Sequence, residues 1–290
     1  MLIAEPVFDI RAEHGEGPVW DPINQELFWV DLIQGKVHRA HVANGQIETY
    51  QLGQPVGVIA LRQQGGLVVA VRDGFGFFDL DANRLELLEE NAEKDNPEVR
   101  FNDGAIDPDG RFLAGTMSWD GVERLGKLFA LHKDHSITLL EQNLFISNGM
   151  TWSGDGETYF FIDTLQHAVF AYDYDSTTGQ ISNRRIHIQF ERTEFPDGMA
   201  ADTDGGFWIA FYGGSKVVHY GSDGSEIEQV KLPVMHPTSC CFGGPNLSTL
   251  FITTSQIALS DRLKSDHPTA GYVFRVETLV EGVPQRRFAG

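Results

Sequence analysis

Cysteine is nearly absent: the chain has two, Cys240 and Cys241, and they are adjacent. Neighbours in sequence are poorly placed for an ordinary disulfide and lack the spacing of a zinc-binding pair, so both are expected to be small core residues. Long apolar runs are missing too. No stretch of roughly 18 apolar residues occurs, which excludes a membrane-spanning helix. Met1 to His14 has no basic start followed by a long apolar segment, so a cytoplasmic location is expected. Basic residues are scarce, with 22 Lys and Arg against 41 Asp and Glu and a formal net charge of -19. A field of that sign repels polyanions and anionic lipid, so no nucleic acid and no membrane is expected as a partner.

Several catalytic signatures are also missing. The ten histidines are scattered, and none shows the paired spacing of a zinc-hydrolase helix. No G-x-S-x-G nucleophile elbow and no glycine-rich phosphate loop is present, and Tyr212-Gly213-Gly214-Ser215 reads as a strand-end loop. These absences argue against a serine triad and a nucleotide-phosphate site.

What is present is β structure. Short runs such as Leu27-Phe28-Trp29-Val30, Leu67-Val68-Val69-Ala70-Val71, Tyr159-Phe160-Phe161-Ile162 and Phe207-Trp208-Ile209-Ala210 alternate with Gly, Asp, Asn and Pro clusters. The runs fall into a repeat: a turn residue, a Gly, an apolar strand, a second turn, a second apolar strand. It starts at Glu16-Gly17, Val56-Gly57, Asp103-Gly104, Asn148-Gly149, Asp197-Gly198 and, degenerately, Thr238-Ser239. Repeats of about 40 to 50 residues with four short strands are the mark of propeller blades. The fold class is therefore read as all-β, a six-bladed β-propeller with four-stranded blades, formed by residues 1–290 as one domain. Pro6 to Ile10 is expected to complete the last blade and remove an open edge, and Gln285 to Phe288 to form a final strand.

Equivalent positions in a propeller converge on its axis. The residues before the repeated Gly are Glu16, Val56, Asp103, Asn148, Asp197 and Thr238. Turn chemistry alone explains any one Asp or Asn before Gly. Four oxygen-rich side chains at one phase of a repeat point instead to a shared hard cation, whose charge lets carboxylates sit together ionised. The phrases Asp107-Pro108-Asp109-Gly110 and Asp202-Thr203-Asp204-Gly205 fall at the second phase and read as hairpin turns.

Gly15-Glu16-Gly17-Pro18-Val19-Trp20, Arg100-Phe101-Asn102-Asp103-Gly104 with Gly115-Thr116-Met117, Ser147-Asn148-Gly149-Met150 and Phe195-Pro196-Asp197-Gly198-Met199 appear in this order, followed by Cys241-Phe242-Gly243-Gly244-Pro245. In that order and spacing the chain resembles the senescence-marker-protein/gluconolactonase family, which includes regucalcin and bacterial sugar lactonases. The resemblance implies metal-dependent hydrolysis of a sugar lactone to the aldonic acid, with Glu16, Asn148 and Asp197 as metal ligands and Asp197 also as general base. It implies substrate contacts from Arg100 and Asn102, a place for Asp103 close to the metal as an outer or occasional ligand, and a further acidic substrate residue near Asp120, where the phrase Ser118-Trp119-Asp120-Gly121 departs from the family's. The cofactor is one divalent ion: calcium, zinc, magnesium, manganese or iron(II). The expected partner is a small-molecule sugar lactone. The alternatives are a phosphotriester or arylester hydrolase of the calcium-dependent propeller type and a non-catalytic metal-binding propeller.

Overall fold

A computed structural model describes all residues, 1–290. Strands gather into six sheets arranged around one axis as the blades of a propeller. The innermost strands, in order, are Gly15–Asp21, Val56–Leu61, Val99–Ile106, Ser147–Trp152, Phe195–Ala201 and Pro237–Gly243. Each blade then steps outward through antiparallel neighbours. The inner two strands of a blade are covered on both faces by adjacent blades, so their sequences are near-continuous apolar runs rather than alternating ones. Outer strands such as Gln46–Gln51 face water and are polar. No helix is long and apolar enough to cross a membrane.

The core is six wedges, one between each pair of neighbouring blades. The wedge that joins the last blade to the first is the smallest, with 8 buried residues against 12 to 15 in the others. The N-terminal segment supplies what that seam lacks: Phe8 stacks on Trp29 with ring centroids 5.5 Å apart. Glu5–Pro6 pairs with Phe274–Glu277 as the outer strand of blade six, as the sequence suggests, although the paired stretch is shorter and one residue earlier than expected. Leu2–Ile3 adds a parallel fifth strand to blade five.

The expected final strand at Gln285 to Phe288 does not form. Blade six's outer edge is already filled, and Pro284 lacks the N–H that a ladder needs. The tail instead crosses the lower end of the channel and bonds to the turns that end the innermost strands. Val283 N donates to Ala201 O at 3.0 Å, Trp20 N to Gln285 Oε1 at 2.9 Å, Phe288 N to Leu61 O at 2.8 Å and Ala289 N to Gly110 O at 3.0 Å. Above the tail lies a cavity of about 110 Å³ lined by Val58, Met150, Met199 and Val283 to Arg286.

One irregularity positions the site. In all six blades the innermost strand shifts register against the second near the repeated Gly: between Glu16 and Val19, Val56 and Val58, Phe101 and Gly104, Ser147 and Met150, Pro196 and Met199, and Pro237 and Cys240. Such bulges leave residues out of the ladder and re-aim their side chains. They also bring adjacent blades into backbone contact. A Cβ at Gly149 would lie 2.7 Å from the Asp197 carbonyl oxygen, and one at Gly57 2.5 Å from the Phe101 carbonyl carbon, which is why these positions are Gly.

Candidate functional site

The bulge side chains fall into two kinds. Those with a hydrogen to give link one blade to the next. Asn102 Nδ2 donates to Ser147 O at 2.9 Å, Thr238 Oγ1 to Gly15 O, and Asn148 Nδ2 to Thr164 Oγ1 at 3.0 Å, which itself donates to Pro196 O at 2.8 Å. Glu16, Asp103 and Asp197, as carboxylates, cannot make such links. Glu16 Oε2 accepts the N–H of Gly17 at 3.0 Å, and Asp103 Oδ1 that of Gly104 at 2.7 Å.

All three carboxylates are buried, and they feel one another. Burial raises Glu16 well above the usual carboxylate range, and the charges of Asp197 and Asp103 raise it further. Burial likewise raises Asp197, partly offset by a hydrogen bond from the Asn148 amide and reinforced by Asp103. Asp103 is pushed up to about 6 by burial, against the pull of the Gly104 N–H. The neighbouring cation is Arg100, on the same strand as Asp103. Burial lowers its guanidinium to about 10, with Glu16 and Asp197 holding it up, so it stays charged at neutral pH. Arg100 Nη1 donates to Asn102 Oδ1 at 2.7 Å and Phe101 O at 3.2 Å. Ionising all three against one cation would leave two negative charges uncompensated, which is why they are raised.

The walls add aromatic and imidazole groups. His14 Nε2 stands 4.0 Å from Glu16 Oε1, and burial, then Arg100 and His236, lowers the imidazole to about 3. Tyr212 stacks on His236 with centroids 4.1 Å apart and donates to Ile257 O at 3.2 Å; burial, then Asp197, raises its phenol to about 12. Trp119, 41% exposed, has its ring centroid 6.0 Å from Arg100 Cζ.

A model of the family described as "SMP-30/Gluconolactonase/LRE-like region" matches residues 14–256. The chain belongs to that family. Among relatives of this SMP-30/gluconolactonase chain, regucalcin of Gallus gallus is 39% identical over 288 residues, covering 97% of this chain and 96% of the relative. A crystal structure of a calcium-binding protein, regucalcin, from Agrobacterium tumefaciens superposes with a TM-score of 0.95 at 25% identity, over 100% of this chain and 98% of that one. A gluconolactonase from Xanthomonas campestris shares the fold, with a TM-score of 0.76 at 19% identity over 96% of this chain and 89% of that one.

Among the expected site residues, Glu16, Arg100, Asn102, Asp103, Asn148 and Asp197 are all buried on innermost strands. Asp120 is not among them. It is exposed in a turn, where its Oδ1 accepts from Ser118 Oγ at 2.8 Å and Val122 N at 3.0 Å. No three His, Cys, Asp or Glu side chains form a ligand cluster on their own. A divalent ion would therefore need the Asn148 amide oxygen beside the carboxylates, and an oxygen-rich set that ionises fully only when positive charge is added fits such an ion. His14, Trp119, Tyr212 and His236 carry no repeat signal. Their only shared sequence feature is proximity to a strand end, and that does not distinguish them.

Proposed function

We propose that residues 1–290 act as one unit, a divalent-cation-dependent lactonase that opens a sugar lactone to its aldonic acid. The carrying observation is the cluster of three buried carboxylates with a single guanidinium. A stability role alone would leave these charges at considerable cost. The family description and the gluconolactonase of the same fold support lactone chemistry. The calcium-binding description of the Agrobacterium protein supports a cation.

Glu16, Asn148 and Asp197 would hold the ion, with Asp103 beside them. When bound, a divalent ion supplies charge compensation and polarisation of a substrate carbonyl. Asp197 accepts a proton from the water that adds to the carbonyl carbon. The ring C–O bond then breaks, and the ring oxygen takes a proton as it becomes the hydroxyl of the aldonate. Arg100 keeps guanidinium donors beyond those bonded to Asn102 and Phe101, which suits substrate oxygens. Asn102 gives one acceptor to Arg100 and one donor to Ser147, and so also fixes the orientation of Arg100.

Trp119 favours a second substrate class. An exposed indole beside Arg100 is a platform for an apolar or aryl group, as in arylesters. Both readings are tested by a pH-stat screen of five- and six-membered aldonolactones and phenyl acetate, on chelator-stripped protein and after addition of single divalent ions. The expected result is aldonolactone turnover that is lost on stripping and restored by an ion. Turnover that survives stripping would overturn the cation requirement, and a cation-loaded protein inert toward every substrate would favour a binding role.

A further inference from the structure

The hydroxyl of Thr164 stands between the Asn148 side chain and the backbone that carries Asp197. Thr164 opens a short 3₁₀ turn, Thr164–Gln166, between the second and third strands of blade four, and it is buried. A threonine hydroxyl has one hydrogen to give and two lone pairs to offer. Pro196 O, 2.8 Å away, can only accept, so the hydrogen goes there. The remaining contact, 3.0 Å from the Asn148 amide, is therefore donated by the amide nitrogen. The other end of the amide agrees, because its oxygen accepts the Gly149 N–H at 3.2 Å, where a nitrogen would face a second donor. Two contacts thus fix one orientation of a group that is nearly symmetric in shape. A hydrogen bond from the same amide holds the Asp197 carboxylate down against burial.

The turn grips the backbone on both sides as well. Phe145 N and Ile146 N donate to Asp163 Oδ2 and Oδ1 at 3.2 and 3.1 Å, and Thr164 N donates to Ile146 O at 3.2 Å, which fixes the chain just before Asn148. Towards blade five, Phe190 N donates to His167 O at 2.8 Å and His167 Nδ1 donates to Glu194 O at 2.8 Å, ahead of Asp197. The fold does not require a hydroxyl at this place. In blade one, Gly15 and Asp31 pair in the ladder as Ser147 and Asp163 do in blade four. The residue after Asp31 is Leu32, which is buried in an apolar wedge and has no polar atom to offer Glu16.

We propose that Thr164 is a positioning residue for lactone opening: its hydroxyl fixes the Asn148 amide and the carbonyl next to Asp197, and so sets how Asp197 meets the attacking water. The inference rests on the reading of Asp197 as general base and adds to it a residue from outside the repeat, which acts only through its neighbours. Thr164→Val keeps the shape but removes the hydroxyl, leaving Pro196 O without its donor and the Asn148 amide without one acceptor. Thr164→Ser keeps the hydroxyl.

Kinetics on the best aldonolactone of the pH-stat screen are combined with NMR of metal-free, ¹⁵N-asparagine-labelled protein, in which the Asn148 side-chain signal is identified by its loss in Asn148→Ala. In Thr164→Val, kcat is expected to fall about tenfold or more, with KM changing less than about threefold. Exchange of the Asn148 amide hydrogens should speed up about tenfold or more. Thr164→Ser should restore both. Tyr174→Phe, which loses a buried hydroxyl from Asp107 at the lower end, is the stability control, and its folded fraction should keep its kcat. Thr164→Ala takes the place of Thr164→Val if that variant fails to fold. Wild-type kcat in Thr164→Val, a kcat loss no larger than that of Tyr174→Phe, equal impairment of Thr164→Ser, or unchanged amide exchange would overturn the assignment. A wild type that protects the Asn148 amide through Thr164 yet opens no lactone would overturn the proposed function instead, and leave the hydrogen-bonded link standing.

Discussion

Buried carboxylates stand at both ends of the innermost strands, and those at the lower end have the fuller set of partners. There Asp107 meets Arg111 Nη1 at 2.7 Å and the Tyr174 hydroxyl, Asp21 meets Arg287 Nη2 at 2.7 Å, and Asp202 accepts from Gly206 N at 2.8 Å and Trp208 Nε1 at 3.1 Å. Burial alone would raise Asp21 and Asp202, yet both lie below their ordinary value. Asn24, Ile23 and Arg287 outweigh burial for Asp21, and His219, Gly206 and Trp208 do so for Asp202. At the upper end, Glu16, Asp103 and Asp197 are all raised. The same residue type in the same strands is thus completed at one end and left short of positive charge at the other. The lower end fastens the blades, and the upper end is built to receive something.

Substitutions at the two ends should therefore separate function from stability. The largest effect is expected for Asp197→Asn, which should lower kcat by at least about 100-fold if Asp197 is the general base. Its melting temperature without metal should hold or rise, because a repelling buried charge has gone. Retained turnover, or a fall in melting temperature as large as the loss seen at the lower end, would erase the contrast. Next, Arg111→Ala strands Asp107 and removes the donors to Ser176 O and Thr177 O, so denaturant unfolding should show a loss of about 3 to 5 kcal/mol. The folded fraction should keep its kcat.

The smallest effect concerns pH. Asp103 titrates near 6 in the folded chain, above its unfolded value of 3.8, so its favourable contribution is complete below pH 3.8 and is lost as pH rises through 6. Metal-free Asp103→Asn should therefore be more stable than wild type at pH 7, by an amount on the order of 1 to 3 kcal/mol, and level with it at pH 4. Saturating divalent ion should shrink the gap at pH 7. A gap that does not vary with pH would mean that Asp103 is already compensated.

Much of this was legible in the sequence because the repeat carries it. The Asp-Gly and Asn-Gly phrases recur because bulges such as those at Gly57, Gly149 and Gly198 leave no room for a Cβ where neighbouring blades meet. The second-phase Asp phrases likewise read correctly as turns; Asp107 N donates to Arg111 O at 2.9 Å across one of them. What escaped has no periodic trace. Gln285 to Phe288 reads as a strand, and only the three-dimensional ring offers the tail the turn ends of four blades. His14 was passed over as one scattered histidine, since its partner Ser255 lies 241 residues away and no local pattern links them. Asp120 rests on similarity alone, in a loop whose phrase departs from the family's.

The tail bears on how the protein is handled at the bench. Gly290 is buried, and a Cβ there would stand 2.6 Å from Lys133 O and 2.9 Å from the Phe288 ring. Any side chain at position 290 would have to lever those residues away from blade three, so substitutions there should be avoided. Met1 is 76% exposed, so the amino terminus is the gentler point of attachment for an affinity tag.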